Sequence, residues 1–191
     1  MKQPIFILGF LTFSLLSYAQ HELASGLYTV DKQVNLQLKK FVLVDSGRLK
    51  NSMKIRVPWN EGAIFNQSSD CYTKSYLRND TIYVIGHIMG ELGYGFGLTL
   101  FRDSCIVYPF GFSDGNIYKY HKADTAYIDF IPLPSQSQKV ILLKAPAFRE
   151  GEIIEGFVKL DSYPFYYNGF ESEFKIELEA YFKTASIRKG E

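Results

Sequence analysis

Long apolar runs are scarce in this 191-residue chain. The longest, Ile5 to Leu16, is twelve residues, short of the roughly 20 needed for a membrane-spanning helix. Charge of one sign is also missing: 21 Lys and Arg face 20 Asp and Glu, for a net charge of +1. A near-neutral chain offers no basic footprint for nucleic acid, and none for an anionic membrane surface. Histidines number three and cysteines two. No H-x-H or H-E-x-x-H spacing occurs, so a metal site would have to be assembled from distant segments. No G-x-S-x-G elbow marks a serine nucleophile. The sequence therefore predicts no catalytic residue, no cofactor and no metal.

The apolar run sits in a recognisable frame. Lys2 precedes it, and Ser17-Tyr18-Ala19 follows as a small-residue cleavage site before Gln20. This is the three-part pattern of a secretory signal peptide. It assigns residues 1–19 to a leader outside the fold, and predicts export to a periplasmic or extracellular space. No cysteine stands at the cleavage site to take a lipid, and no stable membrane insertion is expected after cleavage. About 170 residues from Gln20 to Glu191 remain, the size of one domain.

Aromatics are plentiful, with 16 Phe and 14 Tyr, a composition that favours sheets. Glu173 to Lys183 alternates most cleanly. Phe174, Ile176, Leu178, Ala180 and Phe182 share one face, and charged residues occupy the other. That is a strand with one buried side. Lys139–Leu143, Ile153–Leu160 and 53–57 read as further strands. Thr81 to Met89 is apolar on both faces, as a central strand would be. It belongs to a hairpin series, 72–77, 81–89, 94–101 and 105–108, punctuated by Arg78-Asn79-Asp80, Gly90–Gly93 and Arg102-Asp103-Ser104. Ile117–His121 and Ala126–Ile131 are short strands. Pro58 to Asp70 reads as a long surface loop, Leu27 to Leu38 as broken alternation, and Pro132 to Gln138 as an exposed connector. The sum is an all-β, antiparallel two-sheet β-sandwich, jelly-roll or Ig-like, as a single domain over 20–191.

Cys71 and Cys105 are an even pair in an exported chain, which points to one disulfide. It would close a loop of 35 residues, worth about 3–4 kcal/mol in the chain-entropy treatment. The competing reading is two buried thiols acting as small hydrophobes. In a flat four-strand meander the two would stand three strand spacings apart, about 14 Å, against the 7 Å limit for bridged Cα atoms. A disulfide therefore requires the sheet to curl or to split into two layers.

Two aromatic stretches carry the functional reading. Tyr163, Phe165, Tyr166, Tyr167 and Phe170 crowd a turn marked by Pro164 and Gly169, and Phe110 and Phe112 lie in a similar stretch. Exposed, such rings form a platform for a protein or glycan partner; buried, they plug one end of the fold. If both stretches share one end, the binding reading gains. Gly93, Gly95 and Gly97 recur at period two. They either admit a ligand or a stacked ring, or allow a close backbone crossing. His21, His87 and His121 read as ordinary histidines. Glu91, Asp103, Asp114 and Asp129 are the acids that a carboxylate-pair hydrolase would draw on. Sequons begin at Asn66 and Asn79, both placed in loops. The chain reads as an exported, non-catalytic binding protein. The alternatives are a small secreted hydrolase and an eight-stranded outer-membrane barrel, the latter opposed by short strands and a charged C-terminal tail.

Overall fold

A computed structural model describes residues 25–45, 47–59, 62–88 and 92–188. The leader assigned to 1–19 lies outside them, as do His21, Met89 and Glu91. In chain order the elements are β1 (Ser25–Gly26), β2 (Thr29–Val30), α1 (Val34–Leu38), β3 (Leu43–Asp45), β4 (Arg48–Trp59), β5 (Gly62–Arg78), β6 (Thr81–His87) and β7 (Leu92–Leu100). Then follow β8 (Cys105–Ser113), β9 (Tyr118–Lys119), β10 (Phe130–Pro132), β11 (Ser135–Leu142), β12 (Ile153–Ser162), β13 (Tyr166–Tyr167) and β14 (Glu177–Arg188). The molecule is nearly all β.

One twelve-stranded sheet holds most of these strands, in the order β1-β8-β7-β6-β5-β4-β14-β12-β11-β2, with β3 on β4 and β10 on β8. A small second sheet pairs β13 with β9. The large sheet returns on itself. β10 pairs with β8 (Phe130↔Phe112, Pro132↔Phe110). The Leu133 N–H donates to the Pro109 carbonyl at 2.9 Å, and from Ser135 onward β11 pairs with β12. The run from Phe130 to Leu142 thus pairs with β8 near one end of the ladder and with β12 near the other, which satisfies backbone groups that an open edge would leave unpaired. Opposite walls meet across the interior, where the Phe96 and Phe182 rings lie 5.5 Å apart.

The alternating segment of the C-terminal strand behaves as its pattern dictates: Phe174, Ile176, Leu178, Ala180 and Phe182 are all buried in the core. The hairpin series is present too. Asn79 and Asp80 take positive φ values of 47° and 55°, the left-handed pair demanded by a tight two-residue hairpin loop. β6 lies between β5 and β7, with Ile82 and Val84 inside and Tyr83 and Ile85 about two-fifths exposed outside.

Three segment readings are corrected. The loop expected at Pro58–Asp70 is mostly strand, because β4 and β5 pair through Lys54↔Ser68, Val57↔Phe65 and Trp59↔Gly62. A neighbouring strand supplies backbone partners whatever the side-chain polarity, so context overrides propensity. Residues 34–38 form a short helix rather than strand, burying Val34 and Leu38 one turn apart. The expected connector at Pro132–Gln138 is largely strand, and Leu133 and Pro134 are buried.

The Cys71–Cys105 disulfide is absent: both thiols are free and buried. Cys71 lies one position beyond the cross-strand row Tyr72–His87–Gly95–Phe110, whereas Cys105 belongs to the row Leu77–Ile82–Leu100–Cys105. They are three strands and six positions apart, about 14 Å across and 20 Å along the sheet. Closing the sheet does not fold that diagonal onto itself. Burial pushes the Cys71 thiol up to about 12 and Cys105 to about 11, so both act as small apolar groups.

Candidate functional site

The aromatic turn at 163–170 divides between interior and surface. Phe165 is fully buried and Tyr167 nearly so, while Tyr163 and Phe170 are about half exposed. Tyr166 is half-buried, and its hydroxyl donates to Glu173 Oε1 at 2.8 Å. Phe165, Tyr167 and Phe174 meet edge-on or tilted, with Tyr118 against the first two. The Tyr94 and Tyr167 hydroxyls bond one another, and the Tyr118 hydroxyl donates to the Phe112 carbonyl at 3.1 Å. Burial pushes Tyr94 up to about 12 and raises Tyr118 and Tyr167 as well. Neutral, mutually bonded phenols inside a ring cluster close the end of the fold; this is a plug. The stretch containing Phe110 and Phe112 does share this end, through Tyr118, but its rings lie on the other side of the wall.

That other side is the outer face of β4–β8. On β8, Gly111 faces the interior against Tyr118, so Tyr108, Phe110 and Phe112 face out. Their neighbours across the ladder are Gly97, Gly95 and Gly93. At each glycine an added Cβ would strike the ring opposite: Tyr108 at Gly97, Phe110 at Gly95, Phe112 at Gly93. The glycine face is therefore filled by the chain's own rings, which reach across the next strand and cover backbone that glycine would leave bare. No ligand space remains directly over the glycines.

The rings continue a ladder that runs perpendicular to the strands. Arg48 on β4 stands opposite Tyr72 on β5, which stands opposite His87 on β6. The Arg48 guanidinium sits 5.0 Å from the Tyr72 ring centre, and Tyr72 stacks on His87 at 6.2 Å. His87 meets the Phe112 edge at 5.8 Å, and Phe110 meets Phe130 of β10 at 5.1 Å. Phe110 is 4% exposed, beneath its neighbours; Phe130 is 45% exposed.

Beside the ladder lies a groove of about 470 Å³, lined in part by Asp45, Tyr72, Lys74, His87 and Thr184. The His87 Nδ1 lies 2.9 Å from the Ile88 carbonyl. A carbonyl only accepts, so Nδ1 carries the proton, and in that tautomer Nε2 is an acceptor. Arg48 is held by Asp70 at 2.7 Å. Asp70 also accepts the Asn51 N–H at 2.9 Å. That bond first, and Arg48 second, hold its carboxyl below the usual range.

A second groove of about 450 Å³ crosses β12, β14 and β4 on another part of the surface, lined by charges. Its charges pair with each other, Arg56 with Glu177 at 3.1 Å and Lys159 with Glu179 at 2.7 Å, as on an ordinary solvated face.

Of the aromatics singled out for binding, Phe110 and Phe112 belong to this face; of the histidines and acids, only His87 does. His121 is exposed. Asp103, Asp114 and Asp129 are exposed on separate turns. Among the described residues, no group of three or more His, Cys, Asp or Glu is placed to hold a metal. Asn66 lies within β5 rather than in a loop, and Asn79 occupies the β5–β6 turn. Arg48, Tyr72, Lys74 and Phe130 were missed by sequence reasoning. The signal available was the match of Gly-x-Gly-x-Gly on β7 to Tyr-x-Phe-x-Phe on β8, which marks the outer aromatic face once the register is known.

No protein-family model, curated protein or solved structure matches this chain.

Proposed function

We propose that this chain is an exported, non-catalytic β domain that binds a protein or glycan partner on the outer face of β4–β8 and β10. The observation that carries the reading is the ladder Arg48–Tyr72–His87–Phe112 with Phe130 beside it. Its rings are held by neighbouring side chains and by the glycines they cover, so binding would order few rotamers. Export rests on the leader pattern in residues 1–19. In the same reading the closed sheet works as a β-sandwich, two facing walls around one apolar interior. The exposed Tyr163 and Phe170 form at most a rim, since Phe165 and Tyr167 are spent on the plug.

The hydrolase alternative draws no support from the exposed, separated Asp103, Asp114 and Asp129. An outer-membrane barrel needs an outward apolar band all the way round. Here Lys54, Arg56, Lys159, Glu177 and Glu179 face outward along β4, β12 and β14, which counts against that alternative.

The test is capture of envelope and secreted material from the source cells by the mature chain. Three baits are compared: the unaltered chain, Phe112→Ala with Phe130→Ala, and Lys159→Ala with Glu179→Ala. Loss confined to the ladder variant supports the reading. Equal capture by all three rejects it.

A further inference from the structure

We infer that the groove beside the ladder takes an uncharged sugar chain that continues past the groove's own Tyr72 and His87 rings onto the adjoining Phe112 and Phe130; this rests on the binding reading above. The groove, about 470 Å³, falls within the range of roughly 300–1,000 Å³ typical of small-ligand sites. Its lining holds one carboxylate, Asp45, and one ammonium, Lys74. At its margin Arg48 and Asp70 neutralise each other. The site therefore has no net charge with which to select an anion or a cation.

Its hydrogen-bonding capacity is mixed, and part of it is spent within the chain: Thr184 bonds Ser75 and the Thr73 carbonyl. Asp45 Oδ1 accepts the Gly47 N–H, and Oδ2 takes no hydrogen bond among the described residues. The Lys74 ammonium, the Tyr72 hydroxyl and His87 Nε2 take no hydrogen bond or ion pair among the described residues. A site offering a carboxylate acceptor, an imidazole acceptor, an ammonium donor and a phenol suits a ligand whose groups both donate and accept. Hydroxyls do so.

The aromatic side fits the same chemistry. A ring face is negative and its edge positive, so an exposed face attracts the slightly positive C–H hydrogens on the flat side of a pyranose. Phe112 reaches over Gly93 and stays partly exposed, and Phe130 remains 45% exposed beside it. Adjacent, partly exposed rings on one sheet face suit a partner with flat apolar sides.

The experiment is NMR titration of the mature chain with a panel of neutral hexasaccharides: β-1,4-glucan, β-1,3-glucan, β-1,4-xylan and α-1,6-mannan. A uronic-acid hexasaccharide serves as the charged counterpart. At least one neutral sugar should saturate and shift Lys74, His87 and Phe112 resonances, with saturation transfer from aromatic protons to sugar C–H groups. Phe112→Ala should weaken it about tenfold or more, the scale of one lost aromatic contact. Phe112→Tyr keeps the ring and should keep binding, which separates lost stacking from lost folding. Absence of any neutral-sugar binding up to about 10 mM, beyond the millimolar affinity range, overturns the inference. So does preference for the uronic acid, or binding that survives Phe112→Ala. If sugars fail while the ladder variant still loses envelope capture, the sugar inference falls and the binding reading stands. If capture is also indifferent to the ladder, both fall.

Discussion

Phe112 lies across Gly93 of the adjacent strand so closely that a methyl group on the glycine would run into the ring. Phe110 over Gly95 and Tyr108 over Gly97 repeat the relationship. The glycines are thus seats for rings, and the rings are fixed by what they sit on.

The least yielding seat is Gly95, where an added Cβ would meet the Gly86 carbonyl as well as the Phe110 ring. Backbone cannot swing aside, so overpacking is unavoidable. Gly95→Ala should cost about 1–3 kcal/mol in urea unfolding. Gly115 has nothing near it within 4 Å, and Gly115→Ala should stay within about 0.5 kcal/mol. Equal effects at the two sites would show that the rings are not seated as described.

The end plug should be felt as core. Phe165 and Phe174 are fully buried, and each change to Ala should cost about 3–5 kcal/mol. Tyr163, about half exposed, should lose no more than about 1 kcal/mol on the same change. A Tyr163 variant as damaging as Phe165→Ala would place that ring inside instead.

Both thiols should resist native alkylation. Intact-mass measurement after iodoacetamide should find no adduct on the folded chain and two in denaturant. The pH consequence follows from the raised thiols. Unfolded, each would release its proton near 9; folded, Cys105 and Cys71 hold theirs until about 11 and about 12. The native state then binds more protons, so stability is full below pH 9 and falls as pH rises toward 12. Replacing both by Ala should flatten that decline in denaturant titrations at stepped pH.

Asp70 works in the opposite direction. Its folded carboxyl sits below the usual range through the Asn51 N–H and Arg48. Its contribution is present above the unfolded carboxylate value and is lost as pH falls through the depressed one. Asp70→Asn should reduce the acid-side slope of stability against pH. An unchanged slope would show that the pair with Arg48 contributes nothing to folding.

How far the site could be read from sequence differs by residue. Phe110 and Phe112 stand out in the sequence as aromatics beside Pro109 and Gly111, and the glycine triplet stands out on its own. Their relation was invisible, because register alone puts Phe112 opposite Gly93. Arg48 and Phe130 lie 24 and 43 residues from Tyr72 and His87 respectively; nothing local ties them together. The Pro58–Asp70 segment misled for a related reason. Its polar residues look like loop, yet β4 supplies the backbone partners that make it strand.

Local pattern determined the strand character of this chain, its hairpin turns at Asn79-Asp80, and the buried face from Phe174 to Phe182. Those follow from side-chain period and turn stereochemistry, which act over a few residues. The tertiary structure alone decided that the sheet closes through β10 and β11, that Cys71 and Cys105 stay apart, and which aromatic rings face water. Each of these depends on strand order and register, quantities set by contacts between residues far apart in the chain.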